Sequence, residues 1–121
     1  NTYWADGLII STPTGSTGYS LSCGGPIISP GTNNIIITPI APHNLNVRPI
    51  IINDNSIIKL KVEDRDQLAL VALDSCSRAF DSSIELTIKK AEFRINLIEP
   101  QGNTFTSTIR SKLMWGSDKR N

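Results

Sequence analysis

Only two cysteines and one histidine stand among the 121 residues. Cys23 and Cys76 are too few for a disulfide framework, and a reducing compartment would hold both as free, buried thiols. Together with His43 they fall short of the ligand set that a zinc site requires, so no metal ligand is expected. No apolar run approaches the roughly 18 residues that cross a bilayer. No basic segment leads into an apolar one as in a secretory signal, and a cytoplasmic location is expected. The net charge of +1 exerts no bulk pull toward nucleic acid or a membrane surface. No lysine follows Gly15 or Gly18, so the phosphate-cradling G-x-x-x-x-G-K-[ST] loop is missing. Gly15-Ser16-Thr17-Gly18 is not G-x-S-x-G, and a single histidine does not favour a hydrolase triad. Internal repeats and low-complexity segments are missing too. What remains, 39% hydrophobic and 19% charged, suits one globular domain over residues 1–121 with a modest core.

The chain is organised around Asp6–Gly25, DGLIISTPTGSTGYSLSCGG. Leu8-Ile9-Ile10 predicts a strand, because β-branched residues suit a pleated surface. Small hydroxyl residues and glycines follow. Ser16 is placed to cap a helix of about two turns over Thr17–Cys23, closed by Gly24 or Gly25 in the left-handed conformation. A strand, a tight loop and a helix start would offer a ligand hydroxyls and unpaired N–H groups. The same composition equally suits a connection that only turns.

The remainder reads as strands at hairpin spacing. Asn1–Ala5 is expected to end a strand, and Ile35–Thr38 is a buried one. Pro39, Pro42 and His43 are read as loop, and Asn46–Ile52 as extended. Ile58, Leu60 and Val62 alternate with charged residues, which predicts a half-buried strand. Asp64-Arg65-Asp66 turns the chain. Leu68–Leu73 is apolar on both faces and is read as a central strand. Asp74–Ser83 is read as a polar loop. Ile84, Leu86 and Ile88 mark another strand, and Phe93, Ile95 and Leu97 a last one ended by Pro100. Gln101-Gly102-Asn103 is loop, Thr104–Leu113 a short helix, and Ser117–Asn121 a charged, frayed tail. About eight strands and two short helices, without long helices between strands, predict a mostly β fold, an antiparallel two-sheet sandwich.

ADGLIISTPTGSTGYSLSCGGPIISP resembles the second signature region of the NAD kinases, which typically reads D-G-[LI]-[IV]-x-S-T-P-T-G-S-T-A-Y-S-x-[SA]-x-G-G-P. TPIAPHNLNVRPIII resembles the family's T-P-[IL]-x-P-H-[ST]-L-[ST]-x-R-P-[IL]-V, and the ending TIRSKLMWGSDKRN resembles its usual C-terminus. The resemblance covers essentially the whole chain. It implies the β-sandwich C-terminal domain of an enzyme that phosphorylates the adenosine ribose 2′-hydroxyl of NAD with ATP, or polyphosphate in some members, giving NADP. The chain starts without Met, partway through a motif by this comparison, which implies residues upstream.

The resemblance also assigns residues. Asp6 would contact NAD, often across a subunit boundary, as an acceptor for an adenine amino group or a ribose hydroxyl. Thr17, Gly18, Tyr19, Ser20, Leu21 and Ser22 would line the adenosine side of the NAD site, with Gly18 in place of the common alanine. Ala41 and His43 would lie near the dinucleotide and a subunit interface, with His43 given no role as a base. Arg48 is left as structural or phosphate-facing. Cys76 falls near a position that is often Gln or Arg, so that ligand contact would be altered. The family's G-G-D-G and N-N-E motifs are missing, which puts the catalytic base, the ATP loop and an accompanying Mg²⁺ on an upstream α/β domain. This chain would then carry no catalytic residue and be inactive alone, would bind the dinucleotide, and would assemble into a homodimer or homotetramer. The alternatives are the C-terminal domain of a related diacylglycerol or sphingoid kinase, or a β-sandwich interaction module without a nucleotide site.

Overall fold

The structure is a computed structural model that describes residues 1–63, 67–96, 98, 102 and 104–116. It divides into two compact units, Asn1–Asn53 with Phe93–Asn121, and Asp54–Glu92.

The first unit is built on a three-stranded antiparallel sheet in the order β1-β2-β3, with β1 at Gly7–Ser11, β2 at Asn34–Ile40 and β3 at Ile50–Asn53. The middle strand, NIIITPI, is the most buried of the three, with Ile35 to Pro39 all buried. Burying each isoleucine contributes about 1.5–3 kcal/mol, so β2 anchors this unit. The expected buried strand Ile35–Thr38 is thus present, but it also takes in Pro39, read from sequence as loop. β3 pairs only as far as Ile37↔Ile50, so the proline lies where β2 has lost that neighbour and no second ladder needs its N–H. One further expectation is corrected here, since Asn1–Ala5 is not a strand. In the extended Asn46–Ile52, Pro49 reads as lying near a sheet edge or strand start, and β3 begins directly after it at Ile50, preceded by the turn Val47 N–H to Asn44 carbonyl.

Between β1 and β2 lie a 3-10 turn at Thr14–Thr17 and a single-turn helix, α1, at Tyr19–Ser22. The expected two-turn helix capped by Ser16 does not form. Gly18 occupies the N-cap with no side-chain hydrogen bond, and the Ser16 hydroxyl is used elsewhere. Gly24 closes α1 with φ +80°, as expected.

The second helix, α2, spans Phe105–Leu113, close to the expected Thr104–Leu113. Thr104 Oγ1 accepts the Ser107 N–H at 3.1 Å and Ser107 Oγ accepts the Thr104 N–H at 3.0 Å, a capping box, and Met114 ends the helix in the left-handed region.

The second unit contains two antiparallel ladders. β4 (Ile58–Leu60) pairs with β7 (Leu86–Ile88), and β5 (Leu68–Leu73) with β6 (Cys76–Asp81). The expected alternation from Ile58 holds, with Ile58 buried and Lys59 exposed beside Glu85 at 3.2 Å. Lys90 pairs with Asp54. The polar loop expected over Asp74–Ser83 is instead a hairpin. Asp74 takes φ +50° in the two-residue turn, and β6 pairs along the whole of β5, setting Phe80 against Ala69. The expectation that Leu68–Leu73 is a central strand is corrected. Among the described residues β5 has one neighbour, and Leu68, Leu70 and Leu73 are exposed. Beyond β6, the Ser83 hydroxyl and then its N–H, at 2.8 Å, hold the Asp81 carboxyl below its usual range.

Phe93–Asn96 is not a strand. Leu97, the turn at residues 64–66, Pro100, Gln101, Asn103 and the tail at residues 117–121 lie outside the described residues. The fold is mostly β, with antiparallel sheets and few helices, as the strand count predicts.

Candidate functional site

The predicted site residues fall into two groups in the first unit. One group sits where β1 begins and β2 ends. The Asp6 N–H donates to the Ile40 carbonyl at 2.9 Å, and the His43 N–H donates to the Trp4 carbonyl at 2.8 Å. These bonds tie the two segments together past the ladder. Ala41, between them, has φ +44°, a left-handed conformation that L-residues other than glycine, Asn and Asp rarely adopt. Asp6, Ala41 and His43 are all exposed.

The other group is the turn that follows β1. The Ser16 hydroxyl donates to the Pro13 carbonyl at 2.6 Å and accepts the Ile28 N–H at 3.0 Å, which staples the 3-10 turn to the segment beyond α1. Ser20 Oγ lies 2.8 Å from Thr38 Oγ1, with both residues buried. The Gly25 N–H donates to the Ser20 carbonyl at 2.8 Å. A Cβ on Gly25 would stand 2.3 Å from Ser20 Oγ and 3.0 Å from Thr38 Oγ1, so only glycine fits there. The outcome is a sorted turn. Ser16 and Ser20 point inward, Thr17, Gly18, Tyr19 and Ser22 are exposed, and Leu21 is half-buried.

Thr38 also fixes where the turn sits, because it is the register partner of Ile9. Ile9 is three residues along β1 from Asp6, about 10 Å at the usual strand rise. The two groups therefore flank one sheet, about 10 Å apart along this edge. The expected ligand-facing helix start is reduced to one turn, and what the site offers is exposed hydroxyls, an aromatic ring, a carboxylate and an imidazole.

Several residues take other places than the sequence suggested. Ser20, named for the ligand, has its hydroxyl on Thr38. Arg48, left open between a structural and a phosphate-facing role, donates from Nη1 to the Leu45 and Val47 carbonyls at 2.6 and 2.9 Å. Cys76, expected to be a buried thiol, is exposed at the start of β6, while Cys23 is half-buried. Sequence reasoning missed the buried pair Ser20–Thr38. No local pattern marks it, because the partner of Ser20 lies 18 residues away on β2.

Among the described residues no three His, Cys, Asp or Glu side chains gather as a metal ion would need. No helix among them is long and apolar enough to cross a membrane. A groove of about 350 Å³ is lined by Thr106, Ile109, Arg110, Trp115 and Gly116, and includes none of the predicted site residues.

Comparison with known proteins adds what geometry cannot. The family model of the ATP-NAD kinase C-terminal domain matches residues 1–99. The chain is 62% identical over its whole length to an NAD kinase of Flavobacterium psychrophilum, of which it covers 41%. It is 53% identical to one of Bacteroides fragilis over 98% of the chain, again 41% of that protein. Among solved structures, yeast NADH kinase complexed with NADH aligns over 94% of the chain and 34% of that protein, with TM-score 0.68 and 29% identity. An NAD kinase from Archaeoglobus fulgidus in complex with ATP aligns over 74% of the chain and 34% of that protein, with TM-score 0.66 and 38% identity. The chain spans about two-fifths of the length of these curated relatives.

Proposed function

This chain belongs to the ATP-NAD kinase family, and on that premise we propose that it is the C-terminal, dinucleotide-binding domain of an enzyme that phosphorylates NAD. In the intact protein the adenosine ribose 2′-hydroxyl oxygen of NAD bonds to the γ-phosphorus of ATP. The bond from that phosphorus to its bridging oxygen breaks and ADP leaves. The hydroxyl proton passes to a base upstream of this chain, where ATP and an accompanying divalent cation such as Mg²⁺ are also held. Phosphoryl transfer depends mainly on positioning and charge neutralisation, and this chain supplies positioning.

The observation that carries the reading is the sorted turn after β1, clamped about 10 Å along the strand from the Asp6 and His43 corner. Thr17, Gly18, Tyr19 and Ser22 present exposed groups to the adenosine half, and Leu21 backs the turn. Ser20 contributes by fixing that turn. Asp6 accepts from an adenine amino group or a ribose hydroxyl, with Ala41 and His43 shaping the same end. Asp6 serves the site of a neighbouring subunit in a homodimer or homotetramer, in the cytoplasm. The lipid-kinase alternative and an interaction module without a nucleotide site are not favoured, since the relatives that match the chain end to end carry the name NAD kinase.

The test is the full-length protein incubated with ATP and NAD, with the product read by mass spectrometry and by a dehydrogenase that accepts only NADP. NADP is expected. Phosphorylation of a diacylglycerol or sphingoid base in place of NAD would overturn the reading.

A further inference from the structure

We propose that Ser20 and Thr38 act as a positioning pair for the dinucleotide, holding the residues that touch it without touching it themselves. The inference rests on the reading of Thr17–Ser22 as the adenosine contact. α1 is four residues long, and its N-cap, Gly18, makes no side-chain hydrogen bond. A single turn is not stable in isolation, because nucleating a helix fixes several dihedrals for each bond gained. Its place on the sheet must come from outside contacts. The Ser20–Thr38 bond reaches across 18 residues of sequence to the middle of the anchored strand. Ser20 is 1% exposed and Thr38 fully buried, so neither hydroxyl faces a ligand. Gly25 seals the pair from the side, through its N–H on the Ser20 carbonyl and the room left by its missing Cβ. Tyr19, adjacent to Ser20 in sequence, is 63% exposed. A ligand that reads the Tyr19 ring therefore reads a position set by Thr38.

The experiment uses the full-length enzyme with Ser20→Ala, Thr38→Val, both together, and Thr38→Ser. Each single loss of the hydroxyl pair is expected to raise KM for NAD by about two- to ten-fold, the range of one hydrogen bond. The double variant is expected to be no worse than either single one, since both remove one shared interaction. Thr38→Ser, which keeps the hydroxyl, is expected to restore KM, and KM for ATP to stay unchanged throughout. Thr38→Ala takes the place of Thr38→Val if the latter does not fold. A rise with Ser20→Ala alone would mean that Ser20 touches the ligand, and overturns the proposal. Lower melting temperatures with an unmoved KM for NAD would also overturn it, leaving a purely structural pair. Tyr19→Ala, run alongside, separates the two layers. If it raises KM while the pair does not, positioning fails and the site reading stands. If it leaves KM unmoved, the site reading falls and the proposal with it.

Discussion

The Ser16 hydroxyl accepts the Ile28 N–H at 3.0 Å while donating to the Pro13 carbonyl at 2.6 Å, so one buried side chain joins the start and the end of the turn that follows β1. Ser16→Ala would leave the half-buried Ile28 N–H without this partner, while the Pro13 carbonyl keeps the Ser16 backbone N–H at 3.2 Å. One unpaired group costs about 1–3 kcal/mol when buried, and the substitution is expected to destabilise the protein by about 1 kcal/mol, the lower end of that range. Urea unfolding followed by circular dichroism measures it. A change under about 0.5 kcal/mol, the ordinary scale of surface substitutions, would show that the staple is not formed.

Gly25 and Gly24 are adjacent but constrained for different reasons, and their alanine variants should separate. Gly25→Ala forces a methyl against Ser20 Oγ, the Ser20 carbonyl and Thr38 Oγ1, an overpacking expected to cost about 1–3 kcal/mol. Gly24→Ala meets open space but keeps φ +80°, a left-handed strain of about 1–2 kcal/mol. Melting temperatures rank them, with Gly25→Ala lower. Only Gly25→Ala should also raise KM for NAD, because it alone pushes on the Ser20–Thr38 pair. The reverse ranking would count against the packing described around Gly25.

In the intact enzyme, Tyr19→Ala and Asp6→Asn are expected to weaken NAD binding without unfolding the protein. Both residues are exposed, so neither removal opens a core void. Losing the Tyr19 ring should cost on the order of 1 kcal/mol of binding. Asp6→Asn turns an acceptor oxygen into a donor and should raise KM for NAD by roughly five- to a hundred-fold. Unchanged KM in both variants would remove these two residues from the site.

The chain on its own is expected to form no NADP from ATP and NAD, because G-G-D-G and N-N-E are missing from its sequence, and to self-associate. Product above a buffer control would contradict the first expectation. A strictly monomeric mass by light scattering at micromolar concentration would contradict the second.

The sequence was most legible where apolar periodicity and end signals agreed. Ile35–Thr38 could be placed because a β-branched run of that length has little choice but a buried strand. α2 could be placed because Phe105, Ile109 and Leu113 recur at four-residue spacing, whereas its cap, Thr104, reads from sequence as part of the helix. Reading failed where polar residues pair as strands. Cys76–Asp81 forms β6 because β5 gives it a partner along its length and Asp74 tolerates the left-handed turn, neither of which shows in the local composition of the segment. The site was legible as a stretch but not in its sorting. Ser20 and Ser22 are the same residue two places apart, and only Thr38, distant in sequence, decides that the first faces inward.

The position of β2 between β1 and β3 also has a consequence in time. The link to β3 runs through residues 41–49, whereas the link to β1 runs through residues 12–33. Loop closure costs more as the loop lengthens, so the β2–β3 hairpin is expected to form first and β1 to dock afterwards, bringing the turn with it. Substitutions at Ile9 should then mainly speed unfolding and those at Ile51 mainly slow refolding, which stopped-flow kinetics can read. A ligand held by a late-docking segment would be absent from the folding transition state. It would lengthen the lifetime of the folded enzyme while leaving its rate of formation as it was.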